Sequence, residues 1–250
     1  MTNTEPVYDR IGVGYADRRR PDPRIAAHIA AALGDARTVL NVGAGTGSYE
    51  LPDRSWVGVD PSEVMIRQRP RGSAPVVRGV AEALPFATAA FDAAIALLSL
   101  QHWSDPKGGL AELARVSRRQ VVLTWDVEFY ASNFWFVRDY VPEMSEWERS
   151  VATLDTARAL MEPTRIEPVP VPHDCTDGFG GAYWRRPEAY LDPEVRASIS
   201  GLALMTDGIA GRAVKRLEAD LRSGAWHERN AELLDLDELD VGYRLVIADR

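Results

Sequence analysis

The sequence predicts an α/β fold, a mostly parallel sheet of seven strands flanked by helices. Three observations carry that prediction. Val39-Leu40-Asn41-Val42 is a short apolar strand that runs directly into Gly43, Gly45 and Gly47 at alternate positions. A second apolar strand, Val57-Gly58-Val59, ends on the carboxylate of Asp60. Asp92 to Leu100 is an almost unbroken apolar run, the pattern of a parallel strand buried on both faces. Strand, glycine turn, helix, strand and acid, in that order, open a nucleotide-binding α/β sheet.

The elements follow in order. Residues 21–35 read as an amphipathic helix: Pro21 and Pro23 precede it, Ile25, Ile29 and Leu33 recur at four-residue spacing, and Gly34 stops it. Strand one covers 38–42. The turn at Gly47-Ser48 is expected to start a short helix that Pro52 ends. Strand two covers 57–60, and Ser62 caps a helix over 63–68. Val76-Val77 forms a third short strand, 92–100 the fourth, and 121–125 the fifth, with a helix marked by Leu110, Leu113 and Ala114 between the last two. Residues 127–162 carry many aromatics and read as one or two helices. Val169 and Val171 alternate with prolines, as in an edge strand. Val214, Leu217 and Leu221 place a helix within 174–240, stopped at Gly224, and 241–248 closes the sheet. The expected organisation is one domain: a core over 36–126 with closing strands at 165–173 and 241–249, and helical lid segments at 127–164 and 174–240, inserted after strands five and six.

A chain of 250 residues with 46% hydrophobic and 26% charged residues buries a full core. No apolar run reaches the roughly 18 residues of a membrane span, and the polar stretch Met1 to Arg10 lacks the apolar core of a signal peptide. The single cysteine, Cys175, rules out an internal disulfide or a cysteine-based metal cluster. A cytoplasmic protein, monomer or homodimer, is the expectation. The net charge of −8 argues against nucleic acid as partner, since phosphates need a basic surface.

Spacing narrows the ligand. A dinucleotide site has G-x-G-x-x-G, whereas here Ser48 occupies the third glycine's position. No Lys-Ser/Thr pair follows the glycines, which excludes a P-loop. Asp60 follows Gly43 at a shorter interval than the roughly 20 residues of the dinucleotide fingerprint. At these residues, and again at Ala81-Glu82-Ala83-Leu84-Pro85-Phe86, Phe91-Asp92-Ala93-Ala94-Ile95-Ala96 and Gln101-His102-Trp103-Ser104-Asp105, the chain resembles the class I S-adenosylmethionine-dependent methyltransferases, over about residues 36–126.

The resemblance implies a Rossmann-like sheet, S-adenosyl-L-methionine as cofactor and a small-molecule acceptor. It places Gly43, Ala44, Gly45, Thr46 and Gly47 against the cofactor, Asp60 on the ribose, Pro61 and Ser62 beside the adenosine, Ala81 and Glu82 at the adenine edge, and Leu98 at the end of strand four. Tyr15 and Arg19 would cover the methionine carboxylate, which an arginine fork matches bidentately. Asn41 stands where the family usually has an acid. His102 would lie beside the transferred methyl.

Outside the resemblance, Pro172-His173-Asp174-Cys175-Thr176-Asp177-Gly178-Phe179 reads as a substrate-facing loop. Its ligating residues are too contiguous to converge on a metal. His102 and His173 are the candidate general bases. Trp103, Trp125, Asp174, Tyr183, Trp184 and Arg185 are the candidate acceptor contacts, and the aromatics of the insertions point to a partly apolar acceptor. Methyl transfer to O, N or C by in-line displacement is the leading reading. A non-methylating reaction using the same cofactor and a non-catalytic binding protein are the alternatives. The Asn/Asp-Pro-Pro-Tyr/Phe motif of base-methylating enzymes is absent after strand four.

Overall fold

Among the described residues, seven of nine strands make the main sheet: β1 (Thr38–Val42), β2 (Ser55–Asp60), β3 (Val76–Arg78), β4 (Phe91–Leu97), β5 (Ser117–Trp125), β6 (Arg165–Pro168) and β9 (Tyr243–Asp249). The computed structural model describes residues 6–12 and 14–250, so part of the polar N-terminal stretch lies outside the described residues. The sheet order is β3-β2-β1-β4-β5-β9-β6. β1 to β5 run parallel, and β9 runs antiparallel to both β5 and β6. The chain winds outward from β1 to β3 and returns on the other side at β4. The carboxyl ends of β1 and β4 therefore flank a switch point, where open α/β sheets bind ligands.

Both faces of the sheet are covered. On one, the helix Pro23–Leu33 buries Ile25, Ile29 and Leu33, each side chain contributing about 1.5–3 kcal/mol. Asp22 caps this helix by accepting from the Arg24 N–H at 2.9 Å. On the other face, the helix Pro106–Val116 buries Leu110, Leu113 and Val116, and Leu154 and Ala157 of Leu154–Met161 join the same cluster. Ser62 caps Glu63–Arg67 as expected, accepting from the Met65 N–H at 3.2 Å.

Several expectations are corrected. The short helix expected after Gly47 is a run of turns, because Gly47 and Tyr49 take φ of +87° and +64°, outside the helical region. Residues 127–162 form four short helices, Val127–Asn133, Trp135–Tyr140, Glu143–Arg149 and Leu154–Met161. Phe134, extended at φ −86° and ψ 107°, separates the first two. The edge strand ends at Pro168. β7 (Val171–Pro172) leaves the sheet and pairs with β8 (Glu238–Leu239) in a separate ribbon.

Phe134, Trp135, Phe136 and Tyr140 are core rather than ligand walls. Phe134, Trp135 and Phe136 are buried with Trp184, Tyr190 and Trp226 of the second insertion. Phe136 stacks on Tyr190 at 3.9 Å between centroids, and Trp135 Nε1 donates to the Trp184 carbonyl at 2.7 Å. The two insertions thus share one aromatic core, joined to the sheet through Trp125, Tyr130 and Tyr243. Each favourable ring pair adds about 0.5–1.5 kcal/mol beyond area burial.

Candidate active site

The glycine turn after β1 forms the floor of a cavity of about 420 Å³ at the switch point. Gly43 N–H and Ala44 N–H both donate to the Val59 carbonyl, at 2.9 and 3.0 Å, which ties the turn to β2. Gly43 has φ +74°, and a Cβ there would lie 2.5 Å from the Ser99 Cβ, so only glycine fits. Gly45 N–H donates to Asp60 Oδ2 at 2.7 Å and Ser62 N–H to Oδ1 at 2.8 Å. Burial pushes the Asp60 carboxyl above its ordinary range, while these two bonds favour the charged form. Each oxygen keeps a second lone pair, and Asp60 lines the cavity, so it can accept both hydroxyls of a ribose.

Ala81, Glu82 and Val80 line the side beyond β3. Glu82 Oε1 is already occupied by Ser104 N–H, Ser104 Oγ and Asp105 N–H, at 2.7, 2.9 and 3.0 Å, so Glu82 holds two loops together. Trp103 lines the cavity with its ring against Gly109 and beside Ala81, which places it on this wall rather than at an acceptor. At the opposite end, Arg19 Nε is ion-paired with Asp177, Nη1 donates to Tyr15 OH at 2.6 Å, and Tyr49 OH donates to the second Asp177 oxygen at 2.8 Å. The backbones of Arg19 and Asp177 also form an isolated bridge. The cavity therefore presents one cation and one anion side by side, both from segments outside the sheet.

Between these ends stand Leu98, His102 and Tyr8. Leu98 takes φ +49°, a strained conformation for a branched side chain at the tip of β4. His102 sits in the 3₁₀ turn Leu100–His102, its Nε2 3.3 Å from Tyr8 OH and 3.2 Å from Gln101 Nε2. Gln101 Nε2 also donates to the Leu98 carbonyl at 2.8 Å, which orients the amide with its nitrogen toward the imidazole. His102 Nε2 is then the acceptor and the ring is neutral. Burial pulls the imidazole down to about 4, so it does not titrate near neutral pH as the sequence reading supposed.

The predicted residues do not all converge. Tyr15, Arg19, Gly43, Ala44, Gly45, Thr46, Asp60, Pro61, Ser62, Ala81, Glu82 and Leu98 line the cavity, as do His102 and Trp103. Gly47 does not, because its turn faces away, onto the Arg69 guanidinium. His173 is turned to the Asp237 carbonyl, 3.1 Å from Nδ1, and lies outside the cavity. Asp174 is exposed and paired with Arg24 at 2.7 Å. The cause is Asp22, which also accepts from the Thr176 N–H at 3.1 Å and draws the loop onto the helix cap. Trp184 is fully buried, with Nε1 donating to the Val171 carbonyl at 2.8 Å. Arg185 donates to the Leu234 and Leu236 carbonyls, and Tyr183 lies under the Arg186 guanidinium. Trp125 lines a smaller adjoining cavity. Sequence reasoning did not single out Tyr49 or Ser99, and took Asp177 only as part of the substrate-facing loop; all three line the site. Tyr49 followed a turn read for its glycines, and Ser99 stood near the end of an apolar run read only as a buried strand.

A glycine-floored cavity at the switch point, with a buried carboxylate free to accept from a ribose, defines an α/β protein that binds an adenosine cofactor. Residues 40–124 match a family described as a methyltransferase domain. A crystal structure from Anabaena variabilis, of a candidate methyltransferase from an antibiotic biosynthesis pathway, is 32% identical, with a TM-score of 0.83 over 94% of this chain and 100% of that one. Uncharacterised proteins of Mycobacterium tuberculosis and Mycobacterium bovis are 29% identical over 192 residues, covering 64% of this chain and 69% of theirs. The chain belongs to the class I S-adenosylmethionine-dependent methyltransferases, and S-adenosylmethionine is its cofactor. The residues present fit that group: Asp60 has acceptor capacity left over, and the turn at Gly43 leaves no room for a side chain.

Proposed function

We propose that this enzyme transfers a methyl group to an O, N or C atom of a small, partly apolar metabolite by in-line displacement, at the wall formed by Tyr8, Leu98 and His102. The observation that carries the proposal is that Tyr8, Arg19 and Leu98 line both the large cavity and a smaller one beyond it. A second molecule held there is next to the cofactor. S-adenosylmethionine, when bound, supplies both the electrophilic methyl and its leaving group. The protein's part is then alignment and water exclusion. Asp60 fixes the ribose. Arg19 meets the methionine carboxylate and Asp177 the ammonium, the role for which Asn41 is unsuited, since its amide donates to Glu50 at 3.2 Å.

His102, neutral at working pH, shares its one Nε2 lone pair between the Gln101 amide and the Tyr8 hydroxyl, and through Tyr8 it orients the attacking lone pair. A group pulled down to about 4 is a weak base, which matches an acceptor that needs positioning more than deprotonation. Residues 6–12, 14–20 and 173–181 serve as the cover. The test is incubation with S-adenosylmethionine and a metabolite extract, followed by mass spectrometry for products heavier by one methyl. Cofactor binding with no methylated product and no S-adenosylhomocysteine formed would overturn the proposal.

A further inference from the structure

The smaller cavity, about 50 Å³, lies between the sheet and the two helical insertions. That is room for a head group of a few non-hydrogen atoms. Three polar atoms on its lining residues are buried without a hydrogen-bond partner among the described residues: Glu148 Oε2, Gln101 Oε1 and Trp125 Nε1. Such atoms are rare in folded proteins, and each costs about 1–3 kcal/mol when left unmade. All three residues line this one cavity. Glu148 is only 2% exposed, yet no arginine or lysine among the described residues is paired with it. Arg149 acts on it from the next position, but that guanidinium is engaged by Glu128 at 2.6 Å. The other titratable groups on the lining are the phenols of Tyr8, Tyr130 and Tyr243, all neutral, and Arg19, which is committed to Asp177.

We infer that this cavity is an amine-recognition site for the methyl acceptor, with Glu148 and Gln101 as the hydrogen-bond acceptors for its N–H groups. The inference rests on the methyl-transfer reading above and names the class of its substrate. Two orphaned acceptor oxygens call for a group with at least two donors, which an ammonium or amine has and a hydroxyl lacks. A carboxylate or phosphate would have to keep Glu148 protonated, and the only cation on the lining, among the described residues, is Arg19, already paired with Asp177. A divalent metal would find one carboxylate and one amide oxygen, too few for its shell. The remaining lining favours a cation as well, since Trp125, Tyr130, Trp147, Phe179 and Tyr243 present aromatic rings. Trp125 Nε1 is left to donate to an oxygen of the same ligand or to a water carried with it. Burial holds the Glu148 carboxyl up at about 8, mostly protonated at neutral pH, and an arriving ammonium displaces that proton.

The probes are benzylamine, benzyl alcohol and benzoate, titrated calorimetrically into the protein saturated with S-adenosylhomocysteine. Benzylamine is expected to bind at least about tenfold more tightly than either analogue. Its binding near neutral pH releases close to one proton, read from the dependence of the heat on buffer ionisation. Glu148→Gln removes both the preference and the proton release while S-adenosylhomocysteine still binds. Equal affinity for the three probes, no binding by any of them (a cavity holding water only), or an unaltered preference in Glu148→Gln would overturn the inference. Should Glu148→Gln fail to fold, proton release in the wild-type protein decides. Failure to bind S-adenosylhomocysteine at all would instead strike the methyltransferase reading, so the two failures are distinct.

Discussion

Glu148→Gln should stabilise the ligand-free protein, and by an amount that grows with pH. The wild-type carboxyl moves from an ordinary 4.5 to about 8 on folding, because burial disfavours the charged form. Below the unfolded value both states are protonated and nothing is lost. As pH rises, the unfolded chain ionises first, folding must take up a proton, and stability falls until pH passes the folded value. Beyond it the cost is constant, at about 5 kcal/mol. About 2–3 kcal/mol of this accrues between about pH 6 and about pH 9. Glutamine fills the same volume and does not titrate. The assay is chemical denaturation of both proteins across that range, read as the difference between them so that shared titrations cancel. A difference that stays constant with pH would mean that Glu148 ionises freely in the folded protein, and the unpartnered burial on which the amine site rests would be wrong.

Asp60→Asn should weaken S-adenosylhomocysteine binding about 10- to 100-fold by calorimetry, because an amide replaces a charged acceptor whose bonds contribute about 1.5–3 kcal/mol each. It also leaves either the Gly45 or the Ser62 N–H facing an NH₂ group, and unchanged affinity would remove Asp60 from the site. The pH–rate profile should show no step from His102 between about pH 6 and about pH 8, since its imidazole is already neutral there; a step near neutrality that disappears in His102→Gln would refute this. Gly43→Ala should lose most cofactor binding, since a Cβ must sit in a left-handed backbone, at about 1–2 kcal/mol, and also against Ser99. Gly47→Ala meets only the flexible end of Arg69 and should bind nearly normally; equal loss in the two variants would count against this assignment. Hydrogen exchange should show residues 6–12, 14–20 and 173–181 gaining protection with cofactor, while the aromatic helices of 127–149 are protected already. Fast exchange in those helices would contradict their place in the core.

The parallel half of the sheet, the glycine turn, Asp60 and the Ser62 cap were legible in the sequence for local reasons. A buried strand must be continuously apolar, a tight approach to ligand needs glycine, and a capping serine sits at a set distance from the N–H it accepts. These are properties of a few consecutive residues. The second half of the chain was legible only as helical and aromatic. Whether an aromatic walls a pocket or fills a core depends on what lies opposite, and Trp135 faces Trp184 and Trp226 from positions far away in the chain.

The same distinction divides the site. Local pattern, together with the family resemblance it carries, pointed to the fold class and the cofactor and named candidate residues for its adenosine end. Tertiary structure alone decided that Asp22 draws Asp174 away from the cavity while leaving Asp177 inside it, and that His102 is too buried to titrate near neutrality. It also decided that Glu148, unremarkable in its helix, stands unpaired beside Gln101 and Trp125. Charge state and partner are set by burial and by neighbours in space, and neither is encoded by spacing along the chain.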